Sequence, residues 1–367
     1  MSEFIQLHML VSYPPSNLNR DDLGRPKTAM MGGAQRLRVS SQSLKRAWRT
    51  SHIFTDALAG HLGIRTKEMG RLIHRSLTSG VSLAGILSGA KGAPVAFKPV
   101  GEDKARKWAA EIAGGFGKLK AGEGALEIEQ LAHFSPEEIA AIDALIANLA
   151  ATGSDPDDND KKLLMERHTA ADIAMFGRML AASPIYNTEA AVQVSHAVTV
   201  HAVAVEDDYF TAVDDLNRGD EDMGAGHLGE TEFASGLFYL YVCVNRDLLR
   251  ENLGGDEALA GAALRALVEA AAKVAPTGKQ NSFASRAYAS YLLAEKGCQQ
   301  PRSLSVAYLR PLQENDLLGS AIGALKETRD KMDAVYGNCS DAHCEMNAYA
   351  GEGTLQEVLD FVAGQHA

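Results

Sequence analysis

An α+β fold is predicted by three observations. Runs of strand character occur at Phe4–Tyr13, 194–205 and 233–244. Helix-start signals stand at Ser40-Ser41 and at Ser135-Pro136-Glu137-Glu138. Between the first strand run and the other two lies an Ala- and Gly-rich block, residues 60–150, which reads as an inserted helical subdomain.

In chain order, Phe4 to Tyr13 is mostly apolar with Gln6 and His8 interspersed, and Pro14-Pro15-Ser16 is expected to end this strand because proline cannot donate to a ladder. Arg36-Leu37-Arg38-Val39 alternates basic and apolar residues, as a half-buried strand does. Ser40 or Ser41 is a good N-cap, and no Pro or Gly interrupts Gln42 to Thr50. At about 100° per residue, Leu44, Ala47 and Trp48 share one side of that helix, while Gln42, Lys45, Arg46 and Arg49 share the other. Ala105–Ala113, Pro136–Ala151 and Lys161–Met179 read as helices, with 155–160 an acidic linker or surface loop. Between the two later strand runs, Tyr209, Phe210, Val213 and Leu216 fall at helical spacing, followed by a glycine-rich tip from Gly219 to Gly229.

Charge is unevenly distributed. From Arg20 to Arg49 there are eight Lys/Arg against Asp21 and Asp22, a local +6 in a chain of net charge −11, so the remainder carries −17. A basic island on an acidic protein points to a polyanionic partner. The first-turn N–H groups of the following helix also attract anions. A solvated amphipathic helix with an incidental run of bases is the competing reading.

Other chemistry finds little support. No stretch approaches the ~18–20 apolar residues of a membrane span, and Met1-Ser2-Glu3-Phe4 lacks the basic start of a signal peptide, so a cytoplasmic protein without membrane contact is expected. Cysteines 243, 298, 339 and 344 make a poor disulfide framework. Cys339, His343 and Cys344 lack the second pair that completes a tetrahedral zinc site, and His196 and His201 fall on opposite faces of a strand. No nucleophile or Walker signature is present, so neither metal nor cofactor is expected.

Asn19-Arg20-Asp21-Asp22, Gly32-Gly33 and Arg38-Val39-Ser40-Ser41-Gln42-Ser43-Leu44-Lys45-Arg46-Ala47 resemble the N-terminus of the Cas-seven family, the repeated backbone subunits of CRISPR surveillance complexes. Ser195-His196-Ala197-Val198-Thr199, the run from Asp208 to Leu216, His227-Leu228-Gly229 and Glu232 to Tyr239 look like the CasC-type (Cse-four) subunit of type I-E Cascade. The resemblance is strong over 1–55 and 160–255 and faint at 60–155.

The resemblance implies a hand. An RRM-like palm would comprise 1–58, 186–205 and 233–367, helical fingers 59–185, and an extended thumb 206–232. The implied function is a non-catalytic subunit that oligomerises along the guide RNA (crRNA). Its partners would be further copies of itself, the large, small and five-prime-end cap subunits, the repeat endonuclease, and target DNA through the guide. Arg20, Lys27, Arg38, Ser40, Gln42, Lys45, Arg46 and Arg49 would grip the RNA backbone. Met179 would wedge beside a displaced base, with Arg178 a phosphate or thumb partner, and Lys279 and Gln280 would face the guide. The thumb carries ten acids and one base, so its contacts must be apolar, with Phe210 and Leu228 the candidates; packing against a neighbouring palm serves the same residues equally well. Two alternatives remain: a type III-like metal-dependent ribonuclease using Asp21 or Asp22, and a generic single-stranded RNA-binding protein. The two acids are expected instead to pair with Arg20, Arg25 or Lys27 and shape the loop.

Overall fold

The computed structural model describes residues 2–89, 92–165, 168–181, 183–212 and 227–364, and the side chain of Leu228 also lies outside the description. The chain begins with β1 (Phe4–Ser16), the hairpin β2 (Thr28–Met31) and β3 (Ala34–Val39), then α1 (Ser41–Arg49) and α2 (His52–Ala57). Next come β4 (Ile64–Thr66), α3 (Met69–Ser79), α4 (Leu83–Leu87), α5 (Glu102–Gly114), β5 (Ala132–Phe134), α6 (Pro136–Thr152) and α7 (Ala171–Phe176). The second half holds β6 (Val192–Val194), β7 (Ala197–Thr199), β8 (Glu206–Ala212), β9 (His227–Asn245), α8 (Arg246–Asn252) and α9 (Glu257–Lys273). Last come α10 (Gln280–Phe283), β10 (Ala289–Gly297), α11 (Leu317–Tyr336), β11 (Ala342–Asn347) and α12 (Leu355–Ala363).

Two compact units result, one of Met1–Ala57, Val192–Asp247 and Gly261–Ala367, the other of Leu58–Ala191 and Leu248–Ala260. The first is built on an antiparallel sheet ordered β11-β10-β1-β9-β7-β3-β2, with β6 and β8 also paired to β9. β1 runs between β9 and β10, with Phe4 opposite both Asn245 and Gly297. Residues 5–11 of β1 are accordingly all buried, Gln6 and His8 included. The buried histidine is fully partnered: Nδ1 lies 2.9 Å from the Tyr239 hydroxyl and Nε2 3.2 Å from Glu295. Arg302 reaches the same carboxylate at 2.8 Å. Burial alone would raise the Glu295 pKa, but the hydrogen bonds from His8 and Arg302 outweigh it and hold the group at about 2. On the packed face of the sheet, Leu10, Tyr239, Tyr291 and Leu293 meet Tyr308, Ala321 and Leu325.

The second unit packs α3, α5 and α6 around Trp108, Phe116, Phe134 and Ile142. α6 starts where Ser135-Pro136 predicts. The Ser135 hydroxyl accepts from Glu138 N, and Glu138 Oε2 accepts from Ser135 N at 2.8 Å, a capping box with proline in the first turn.

Several expectations need correction. β1 does not stop at Pro14 but rejoins β9 at Ser16 opposite Ala234; the two prolines sit in the register shift after Tyr13, where no ladder donor is required. The 194–205 run is strand only at Val194, the last residue of β6, and at Ala197–Thr199, β7. The helical spacing around Tyr209 is realised as strand, because Glu206–Ala212 pairs residue by residue with His227–Phe233 of β9. Val213, Leu216 and the tip from Gly219 as far as Gly226 lie outside the described residues, and 227–229 belong to β9. Among the described residues of Lys161–Met179, only Ala171–Phe176 is helical. Upstream of it, Met165 N and Thr169 N donate to the carboxylates of Glu138 and Glu137, which takes those amides out of any helical ladder.

A basic loop, hairpin and helix form a candidate nucleic-acid interface

The basic island folds around Asn19. Asn19 O accepts from Lys27 N at 2.8 Å, closing the loop, and Asn19 Oδ1 accepts from Ser40 N at 2.9 Å, tying the loop to the start of α1. Asp21 Oδ1 accepts from both Leu23 N and Arg25 N at 2.9 Å. Asp21 therefore shapes the loop through backbone amides, while Arg25 pairs with Glu232 at 3.0 Å rather than with Asp21 or Asp22.

The hairpin turns at Gly32 and Gly33, whose φ values are +60° and +77°. A Cβ on Gly32 would lie 1.5 Å from the Leu309 carbonyl oxygen, so no other residue fits there. Arg38 N donates to Lys27 O at 2.8 Å, extending the ladder by one pair and setting these two bases side by side. Arg38 Nη1 lies 2.9 Å from His196 Nδ1. Partial burial, reinforced by the charges of Arg38 and Lys27, lowers the His196 pKa, so this imidazole accepts as the neutral form. His201 is likewise engaged by its own chain, accepting from Leu237 N at 3.1 Å.

α1 begins at Ser40, whose hydroxyl accepts from Ser43 N. Leu44, Ala47 and Trp48 are buried; Gln42 and Arg46 are exposed, and Lys45 and Arg49 lie half-exposed on the same polar side. Ser40 is buried, so its part is to build the helix end rather than to reach outward. Arg36 is also withdrawn from the island. It is fully buried, donating to Thr199 O at 2.8 Å and Tyr308 O at 2.9 Å, and acts as a strut between β3, β7 and the segment before α11.

A groove of about 440 Å³ opens between Asn19, Arg20, Asp21, Asp22, Ser43 and Gly278. The structure thus brings the loop before α10 against the basic loop, with Gly278 so close to Leu18 that a Cβ would lie 2.1 Å from its carbonyl oxygen. Lys279 sits at φ +46° and donates to Thr231 Oγ1 at 2.5 Å. Gln280 turns inward: its Nε2 donates to Pro276 O at 2.8 Å and Ser285 O at 3.2 Å, bracing the loop instead of facing a guide.

The other predicted contacts divide. In the second unit Met179 is 78 % exposed, whereas its neighbour Arg178 is buried against Glu138, with Nη1 2.8 Å from each carboxylate oxygen. Arg178 also donates to Tyr186 O, His133 O and Met165 O, so its guanidinium organises the core and offers nothing to a phosphate. Phe210 projects from β8, 43 % exposed, with its ring over Gly229. Asn17, Asn19 and Glu232 were missed by sequence reasoning, although the Asn17-Leu18-Asn19 spacing before a turn is a signal for backbone-binding side chains.

Chemically, the arrangement presents cationic and amide donors on a preformed backbone, suited to phosphates. Among the described residues, no three His, Cys, Asp or Glu side chains are grouped to hold a metal ion.

Comparison with known proteins fits this picture. The family model described as CT1975-like protein matches residues 5–360. A chain of the solved structure "CRISPR RNA-guided surveillance complex, pre-nicking" is similar at TM-score 0.80 and 28% identity, over 98% of this chain and 99% of that one. A chain of "CRISPR RNA-guided surveillance complex" shares the fold at TM-score 0.59 and 24% identity, over 98% of each. No curated protein matches. Since the family match runs through both compact units, the chain belongs to the CT1975-like proteins, a family of the Cas-seven kind.

Proposed function

We propose that this protein is a non-catalytic crRNA-binding backbone subunit of a type I-E-like Cascade, oligomerising along the guide and presenting it for pairing with target DNA in antiviral defence. The observation that carries the reading is the joint built by Asn19, which fixes the basic loop, the hairpin and the N-terminus of α1 as one preorganised face. Likeness to chains of RNA-guided surveillance complexes makes guide RNA the polyanion of choice. The first unit serves as an RRM-like palm, the second as fingers, and the β8–β9 arm as thumb.

On this reading Arg20, Lys27, Arg38, Gln42, Lys45, Arg46 and Arg49 hold phosphates without reading bases, and Ser40 supplies the helix end. Exposed Met179 and Phe210 are suited to wedge or stack against bases, and Leu228 is assigned the same part on the family resemblance alone. Contacts repeated over many copies give avidity even where each is weak. Further copies and the other Cascade subunits complete the assembly. It works in the cytoplasm; no helix among the described residues is long and apolar enough to cross a membrane. Asp21 Oδ1 accepts from two backbone amides, which supports a loop-shaping part for this acid over the nuclease reading.

The test is titration of single-stranded RNA with the wild type and with Lys45→Ala/Arg49→Ala. Weaker binding irrespective of sequence supports the interface, and unchanged binding contradicts it.

A further inference from the structure

The basic loop and the β8–β9 arm are joined by side chains that no reading of the RNA grip includes. Asn17 is fully buried, and its Nδ2 donates to Gly24 O on the loop at 2.9 Å and to Glu232 O on the arm at 3.0 Å. Arg25 Nε lies 3.0 Å from Glu232 Oε1, with the guanidinium side 60% exposed and the carboxylate 21%. One amide thus ties the two backbones, and one ion pair closes over it.

We propose that Asn17, Arg25 and Glu232 are positioning residues that couple polyanion binding on the loop to the root of the β8–β9 arm. The inference rests on the guide-binding function proposed above. Glu232 is an acid set against a basic loop, so a phosphate arriving at Arg25 competes with it for the same guanidinium. An ion pair this exposed is weakly held, and a phosphodiester displaces the carboxylate. Asn17 keeps loop and arm attached while the pair opens, so the arm responds to loading without leaving the loop. On the other side of the same root, Lys279 holds Thr231 from a left-handed backbone, a conformation costly for a non-glycine residue and maintained only by its surroundings. The arm root is therefore held from both sides, and occupancy of the basic loop opens the Arg25–Glu232 pair on one of them while Asn17 stays in place.

Hydrogen exchange of the amides of 229–236 in the full chain, with and without oligouridylate, tests the coupling. Wild type is expected to bind and to change exchange there. Glu232→Gln, which removes the competitor, should bind about two- to fivefold tighter at low salt, the range an exposed pair commands, and show no RNA-linked change. Arg25→Gln, with Lys45 and Arg49 retained, should still bind and also lose the change; it serves if Glu232→Gln fails to fold. Wild-type affinity and response in both variants would overturn the coupling. Wild type that binds without an exchange change would overturn the coupling alone, whereas wild type that fails to bind would contradict the guide-binding function itself.

Discussion

Arg178 and Glu138 form a buried ion pair in which one guanidinium nitrogen lies 2.8 Å from both carboxylate oxygens, while the same carboxylate caps α6 through Ser135 N. A side chain expected at a phosphate is instead a keystone of the second unit. Removing one member of a buried pair leaves an uncompensated charge, which costs ~3–5 kcal/mol. Arg178→Ala is therefore expected to lower the urea midpoint sharply, with RNA affinity intact wherever the protein remains folded. Wild-type stability combined with lost RNA affinity would return Arg178 to the interface.

Glycine is required at one position of the hairpin and merely preferred at the next. Gly32→Ala meets the Leu309 carbonyl at 1.5 Å and should disrupt the hairpin and the RNA grip with it. Gly33→Ala has nothing within 4 Å and should cost only the ~1–2 kcal/mol of a left-handed alanine. Thermal denaturation of the two variants separates steric collision from conformational preference.

Stability should fall in acid, and Glu295 contributes to the fall. Its folded pKa, about 2, lies below the unfolded value of ~4.3, so its contribution is complete above the unfolded value and is lost as pH falls towards 2. Burial lowers the His8 pKa as well, so this imidazole is neutral in the fold and protonation below its ordinary range adds to the loss. Denaturant midpoints between pH 6 and pH 3 should drop in wild type. Glu295→Gln should be less stable at neutral pH but flatter in this window, and parallel curves would contradict the assignment.

Much of the fold was legible because its signals were local. Ser40 with the Leu44, Ala47, Trp48 stripe, and Ser135 with Pro136 and Glu138, specify helices by contacts within a few residues. What failed depended on distant partners. Arg36 and Arg178 look alike to Arg38 in sequence, yet acceptors brought in from Thr199, Tyr308 and Glu138 bury them. The helical spacing of Tyr209 and Phe210 was overruled by pairing with β9, and Gln280 was turned inward by the carbonyls of its own loop. Within the candidate site, the cationic residues could be read from charge, whereas Asn17, Asn19 and Glu232 act through backbone groups whose proximity only the fold creates.

Phosphate binding by α1 has a quantitative signature. Each phosphate contact to single-stranded nucleic acid contributes ~0.7 to the slope of log affinity against log salt. Lys45→Ala/Arg49→Ala should thus flatten that slope by about 1.4 and weaken binding equally for unrelated sequences. A sequence-dependent loss at unchanged slope would mean that these residues read bases.

The most direct measurement of the central claim is purification of this chain co-expressed with a CRISPR array and its processing endonuclease, followed by nuclease treatment, sequencing of the protected RNA and determination of copies per RNA. A single guide-length RNA carrying several copies of the chain is the predicted result. Heterogeneous short fragments bound one to one, or no RNA at all, would contradict it.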